Sequence, residues 1–352
     1  MTSLFTFSEM KDISSHFHTA MIFWFFCIKT KEHNFFHPVI DCNSNIKREY
    51  SPAAYGCRWK KMKLLIKNIS NYLKLTKPKI MILVIILGLT GLAVEKNLIR
   101  HEPFKLLLII IALYLSGGSA NALNQYFERR IDARMSRTAL KRPLPQGSIK
   151  PVHALIFSIA IGLMGVLIFG FAFNWLTAAI SLSTILFYSL LYTLWLKPRT
   201  DLNIVIGGIA GALAPVGTWA AATGKIALLP WLLFLITFFW TPPHFWSLAL
   251  YYKDDYNKAE LPMFPVVRGE QKTLKQIVYY SFIVVALTLI FYLVYAGLFY
   301  LIIAGILGAL LIFKAYAIRK KYSPEKALGF FKYTIIYMFT ICLTIIIDSY
   351  LI

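Results

Sequence analysis

Asn124, Glu128 and Asp132 stand four residues apart in the phrase Asn121-Ala-Leu-Asn124-Gln-Tyr-Phe-Glu128-Arg-Arg-Ile-Asp132, at the end of a long apolar run. On a helix, positions i, i+4 and i+8 share one face, one turn apart. Amide and carboxylate oxygens in a row are hard ligands suited to Mg²⁺, which in turn suits a phosphate-bearing substrate. Ionisable groups at membrane depth are costly and mark sites. Arg129, Arg130, Arg134, Arg137, Lys141 and Arg142 follow directly. Acidic metal ligands beside such cations are the chemistry of diphosphate binding. An ordinary basic loop in which Glu and Asp pair with Arg accounts for the cations. It does not account for Asn121, Asn124 and Glu128 at helical spacing near the end of a span.

Two further constellations follow. Tyr188 and Tyr192 are spaced i, i+4 and present two phenols on one helical face, just before Lys197-Pro198-Arg199. An interfacial aromatic belt with snorkelling cations reads the same way. The phrase Trp240-Thr-Pro-Pro-His244-Phe-Trp246 leads to Lys253, Asp254 and Asp255. Pro242 and Pro243 are expected to break or kink their helix, and irregular backbone at membrane depth belongs beside a cavity. His244 among large aromatics suggests a flat, conjugated partner near Trp246. The plainer reading is a hydrogen-bonded core histidine. Asp254 and Asp255 are adjacent, so only one of them faces the first stripe; the other belongs to a solvated acidic loop.

The elements that position these groups are transmembrane helices. The chain is 58% hydrophobic and only 15% charged, and its apolar content is cut into span-length runs. Nine spans are expected, near 80–96, 104–127, 152–173, 175–195, 202–222, 228–250, 276–295, 297–317 and 331–350. The period-2 alternation of a barrel strand is absent. A net charge of +21 raises the question of nucleic acid, but the basic residues sort to alternate loops. That is the positive-inside pattern of a multi-pass protein, with the N-terminus cytoplasmic, the C-terminus outside and the lipid bilayer as partner. Gly207 and Gly211 form a G-x-x-x-G packing pair. Cys27, Cys42, Cys57 and Cys342 match no zinc spacing. Residues 1–61 differ from the rest and are expected to be a disordered or mis-assigned extension, with translation starting at Met62. His16, His18, His33 and His37 within it carry no firm metal reading. The second domain is then 62–352. With no organelle-targeting segment evident, a bacterial cytoplasmic (inner) membrane is the simplest location.

Together these phrases resemble the UbiA superfamily of intramembrane prenyltransferases, whose first acidic motif reads N-x-x-x-D-x-x-x-D. Here Asn124, Glu128 and Asp132 take those places, with Glu in the middle one. Arg142-Pro-Leu-Pro145, Thr241-Pro-Pro-His-Phe-Trp-Ser-Leu-Ala-Leu250, Asp254-Asp255-Tyr256, Leu261-Pro-Met-Phe-Pro-Val-Val267 and Leu75-Thr-Lys-Pro78 bring the chain nearer to the haem-farnesylating branch. The likeness runs from about residue 68 to the C-terminus. It departs from many members in lacking a second D-x-x-x-D stripe, since Lys258 and Ala259 stand four residues after Asp254 and Asp255.

The resemblance implies an all-α fold of nine helices around a central cavity open to the cytoplasmic side. It implies transfer of farnesyl from farnesyl diphosphate to a vinyl group of haem B, giving haem O and diphosphate. Asn124, Glu128 and Asp132 would hold Mg²⁺; Arg137, Arg142, Lys197 and Lys253 would bind diphosphate oxygens. Tyr188 and Tyr192 would stabilise an allylic cation. His244 would be an axial ligand or orienter of haem. Asn121, Arg129, Trp246, Asp254 and Asp255 complete the substrate-binding candidates. Haem A synthase or oxidase assembly proteins are the expected downstream partners. A relative acting on a quinone precursor or chlorophyllide would be expected to carry the missing aspartate stripe. A transporter would show midplane polar breaks in both halves.

Overall fold

Backbone surrounded by hydrocarbon must satisfy its own N–H and C=O groups, so long apolar runs become helices. A computed structural model describes residues 52–352, and expectations for residues 1–51 lie outside the described residues. The first described helix, Pro52–Leu75, runs through Met62. Nine helices long and apolar enough to span a membrane follow among the described residues. They are span one Pro78–Glu95, span two Pro103–Phe127, span three Pro151–Ala172, span four Trp175–Leu196, span five Asn203–Thr223, span six Leu228–Tyr251, span seven Glu270–Val294, span eight Leu298–Lys320 and span nine Pro324–Leu351. The described residues contain no strand. This is a multi-pass, all-α membrane protein.

Span boundaries follow local chemistry. Pro78, Pro103, Pro151 and Pro324 open their helices at the first turn, where a missing N–H costs nothing. Asn174 caps span four by accepting from the Thr177 N–H at 2.9 Å. Gly224, at φ 69°, closes span five in the left-handed region. Spans seven and nine start six or seven residues before the apolar run does. Their polar first turns, Glu270-Gln-Lys and Pro324-Glu-Lys, continue the helix beyond the hydrocarbon.

The spans form a closed set. Span one packs on spans two, five and nine; span two packs on spans three and four; span six packs on spans five, seven and nine. Side chains such as Leu163, Leu167, Ile306 and Phe313 point outward and are exposed, as a lipid-facing surface requires.

Two local expectations need correction. Span six does not break at Pro242 and Pro243; Leu228–Tyr251 is one α-helix with both prolines inside it. Neighbours on three sides hold it, and the hydroxyls of Thr237 and Thr241 bond back to Leu233 and Thr237 carbonyls at 2.9 Å each. Tertiary packing outweighs the local cost of proline here. Span four, in contrast, changes pitch. After Leu186 it becomes a π-helix, Phe187–Leu196.

The connections after spans two and six carry short helices, Arg129–Arg134, Ser136–Ala139, Lys253–Lys258 and Phe264–Val267. They gather at the end of the bundle that holds the acidic stripe.

Candidate active site

Span two ends at Phe127, yet its hydrogen-bond ladder carries on. The Glu128 N–H donates to the Asn124 carbonyl at 2.9 Å, and the Asp132 N–H donates to the Glu128 carbonyl at 2.8 Å. The i, i+4, i+8 face therefore survives the junction. Asn124, Glu128 and Asp132 are 2%, 4% and 2% exposed. Each of the three side chains is held by a base. Lys77 donates to Asn124 Oδ1 at 2.9 Å. Lys197 pairs with Glu128, and Arg142 pairs with Asp132 while its guanidinium also lies 3.8 Å from Glu128. Three cations thus surround two carboxylates, an excess of one positive charge in a buried place.

Burial, opposed or aided by the neighbouring charges, shifts the ionisation of the group. Burial and then the neighbouring Arg142 lower the Lys77 ammonium to about 7. Burial alone would raise the Glu128 carboxyl, but Lys197 and Arg142 outweigh it and hold it below its ordinary value. Burial lifts the Asp132 carboxyl, with Arg142 pulling against it. Burial disfavours the charged Lys197 ammonium, yet Glu128 raises its pKa above the usual lysine value. The oxygens of Asn124, Glu128 and Asp132 are hard donors of the kind a divalent ion takes, and the three bases beside them are donors of the kind an anion takes.

Lys77 was legible only as one positive charge among several before span one. The signal for more was Lys77-Pro78, because a residue before proline is pushed out of the right-handed helical region. Lys77 sits at φ 51°, ψ 63°, a strained left-handed conformation for a lysine, and that turn aims it at Asn124.

The π-helix completes this side. Its widened turns give i→i−5 bonds, with the Lys197 N–H donating to the Tyr192 carbonyl at 2.8 Å. Thr193 Oγ1 donates to the Tyr188 carbonyl at 2.7 Å and accepts from Asn124 Nδ2 at 3.1 Å. The altered pitch brings Lys197 to Glu128 while the Tyr188 and Tyr192 rings stack, centroids 5.2 Å apart. The Tyr192 ring fits because residue 207 is glycine; a Cβ there would stand 2.6 Å from it.

One to three turns back from Asn124 on span two, Ala120, Gly117, Ser116 and Leu113 line a small cavity of about 70 Å³ among spans one to five. Three of its hydroxyls already donate within the bundle. Ser181 donates to Ser116 at 2.8 Å, Thr184 to the Ile180 carbonyl at 2.7 Å, and Thr218 to the Gly88 carbonyl at 2.8 Å. The wall offered to a guest is therefore apolar. Asn121 is buried and turns toward Met81 Sδ, 3.5 Å away.

The loop after span six meets the loop after span two. Asp255 is buried and accepts from Ser136 Oγ at 2.7 and 2.9 Å and from the Arg137 N–H at 3.2 Å. Asp254 is exposed. Arg137 lies over the rings of Tyr252 and Tyr256, at 4.8 and 5.3 Å, and donates to the Tyr256 hydroxyl at 3.1 Å. Its Nε is buried without a partner. Lys253 pairs with Glu270 at 2.9 Å. Arg129 turns back onto its own helix, donating to the Tyr126 carbonyl at 2.7 Å.

His244 and Trp246 are two residues apart and face different neighbours. Trp246 is 1% exposed and packs against Phe264 and Tyr280, centroids 4.9 and 5.2 Å away. The His244 ring stacks between Trp240 and Phe331, at 4.3 and 4.4 Å, and its Nδ1 lies 2.8 Å from Thr334 Oγ1.

The model of the UbiA prenyltransferase family matches residues 81–341. The chain belongs to this family. It is 43% identical over 282 residues to protoheme IX farnesyltransferase of Synechocystis sp., covering 79% of this chain and 89% of that protein. Among solved structures it is similar to digeranylgeranylglyceryl phosphate synthase, at a TM-score of 0.67 and 23% identity, over 81% of this chain and 99% of that one. It is also similar to a UbiA homolog from Archaeoglobus fulgidus bound to GPP and Mg²⁺, at a TM-score of 0.54 and 16% identity, over 78% and 99% of the two chains.

Within this UbiA protein, Asn124, Glu128, Asp132, Arg142 and Lys197 come together, and Tyr188, Tyr192 and Arg137 lie on elements joined to them. Arg129, Lys253 and Asp254 find other partners or solvent, and Trp246 faces span seven rather than sharing surroundings with His244. Lys77, Thr193, Ser136 and Thr334 are contacts that emerge only from the folded chain.

Proposed function

We propose that this UbiA protein transfers the farnesyl group of farnesyl diphosphate to a vinyl group of haem B, giving haem O and diphosphate. The observation that carries this is the buried stripe of Asn124, Glu128 and Asp132 with its surplus of cations, set one turn below an apolar cavity. The relatives named protoheme IX farnesyltransferase supply the acceptor.

In this reading Asn124, Glu128 and Asp132 would hold Mg²⁺ through their side-chain oxygens, and Lys77, Lys197 and Arg142 would donate to diphosphate oxygens. Mg²⁺, when bound, neutralises charge that develops on the leaving group. Lys77, Arg142, Lys197 and Arg137 supply donors to that same charge in a place of low dielectric, where they count most. The allylic C–O bond breaks with its electron pair leaving on diphosphate. The apolar wall of spans one to five lies alongside the farnesyl chain and keeps water from the cation. Tyr188 and Tyr192 offer ring faces to that cation. The vinyl group of haem donates its π electrons to the farnesyl carbon, and water takes up the cation left on the porphyrin side chain, releasing a proton.

Asp255 acts through Ser136 and Arg137, locking the two cationic loops together. His244 is the residue assigned to the haem iron or its orientation. The protein lies in a bacterial cytoplasmic membrane with its basic face, and hence the diphosphate end, toward the cytoplasm; bacterial relatives and the charge asymmetry support this. Haem A synthase and oxidase assembly proteins are the expected consumers of the product. Incubating purified protein with haem B, farnesyl diphosphate and Mg²⁺, followed by mass analysis of the haem, tests the whole reading. A haem heavier by one farnesyl and one hydroxyl group is expected. Prenylation of a quinone precursor with unchanged haem would reassign the acceptor.

A further inference from the structure

His244 has two ring nitrogens with unequal surroundings. Nδ1 is 2.8 Å from Thr334 Oγ1. The Thr334 hydroxyl in turn donates to the Phe331 carbonyl at 2.6 Å. A hydroxyl has one proton. With that proton committed to Phe331, Thr334 Oγ1 meets His244 as an acceptor, so Nδ1 carries the ring hydrogen. Nε2 then holds the lone pair, and no hydrogen-bond partner for it occurs among the described residues. The same threonine also takes the Trp240 Nε1–H on its backbone carbonyl at 2.9 Å. Trp240 and Phe331 sandwich the imidazole, with interplanar angles of 17° and 24°. One residue of span nine thus meets His244 with its hydroxyl and holds one stacking ring with its carbonyl.

We infer that Thr334 is a positioning residue for the acceptor: it holds His244 as the Nδ1–H tautomer, leaving Nε2 as a lone-pair donor to the iron of the porphyrin. This rests on the haem reading above. Packing alone would not need this arrangement, because a phenyl ring at position 244 would stack between two aromatics with no polar group to satisfy. An imidazole that ligates a metal generally donates its other N–H to an oxygen, which fixes the ring and raises its basicity. A neutral threonine hydroxyl does this in hydrocarbon without introducing a second charge.

The first test needs no variant. In ¹⁵N-histidine-labelled protein in bilayers without haem, the His244 resonances, identified by their loss in His244→Gln, should show a protonated Nδ1 and a bare Nε2. An Nε2–H tautomer would overturn the inference. The second test titrates ferric haem B into the intact protein. Thr334→Val should weaken binding about ten- to a hundredfold, the range typical for loss of such a partner. It should also change the Soret spectrum in the same sense as His244→Gln. Thr334→Ser, which keeps the hydroxyl, should restore both. If His244→Gln alters the haem spectrum and Thr334→Val leaves it and the affinity unchanged, Thr334 has no positioning role, although His244 keeps its own. If His244→Gln leaves the spectrum untouched, the ligation reading fails and the inference falls with its premise.

Discussion

The two ends of the proposed reaction are built from opposite materials. On the donor side, at the ends of spans one, two and four, Asn124, Glu128 and Asp132 are each paired with a base that could equally serve an anion. On the acceptor side, between spans six and nine, an imidazole is fixed by two aromatic faces and one hydroxyl. The contrast follows from what each side must do. Diphosphate and a divalent ion arrive as full charges, so the site that receives them stores exchangeable charge. A porphyrin is held by its plane and its metal, so that site needs a ring in one orientation and one tautomer.

Breaking the donor side should have the largest effect. Glu128→Gln and Asp132→Asn should each lower kcat for farnesyl transfer by on the order of a hundred- to a thousandfold, the scale for removing one preorganised electrostatic contact. Haem B binding, followed by its Soret spectrum, should be unchanged. Glu128→Gln should also lower stability by about 3 kcal/mol, since it strands Lys197 as an unpaired buried cation. Equal loss of haem binding in these variants would mean that the two sides are one site and would end the comparison.

The acceptor side should break in the opposite pattern. His244→Ala should abolish formation of farnesylated haem while leaving Mg²⁺-dependent binding of farnesyl diphosphate intact. Wild-type turnover in that variant would remove His244 from the mechanism. A variant that loses diphosphate binding as well would show that the ring matters for the bundle rather than for the acceptor.

How far the sequence alone reaches differs between the two sides for the same reason. The stripe Asn124, Glu128, Asp132 is a local pattern, and helical geometry over nine residues is enough to place it. Its partners are not local. Lys197 reaches Glu128 across 69 positions, by way of a π-helical stretch that spacing does not reveal. The choice between Asp254 and Asp255 depends on Ser136, which lies on another loop. The unbroken helix of span six contradicts what two adjacent prolines favour locally, because packing against spans five, seven and nine decides it. The aromatic setting of His244 could be foreseen from Trp240, but Phe331 and Thr334 come from a span some ninety residues later.

Lys77 sharpens the donor side further. A hydrogen bond to a charged group contributes about 1.5–3 kcal/mol, so Lys77→Met should weaken binding of diphosphate about ten- to a hundredfold. Competition with radiolabelled farnesyl diphosphate would measure it. Lys77→Arg keeps the charge but not the fit of a shorter ammonium against Asn124, and should recover part of the loss. A Lys77→Met protein with unaltered diphosphate affinity would place the cationic surplus outside the substrate's reach.

The smallest effect separates a glycine that the donor side needs from one that it does not. In Gly207→Ala the new Cβ would stand 2.6 Å from the Tyr192 ring, so the ring, stacked on Tyr188, must shift. Overpacking of this kind costs about 1–3 kcal/mol. Gly211, one turn on, has nothing within 4 Å of an added Cβ. Gly211→Ala should therefore be neutral, or more stable by up to about 1 kcal/mol from helix propensity. The sequence pairs the two as G-x-x-x-G, which predicts equal sensitivity, whereas the folded chain predicts opposite signs. Thermal unfolding of both variants in the same detergent distinguishes these outcomes. Equal destabilisation would mean that span five packs through both glycines and that the clearance around Gly211 closes in the membrane.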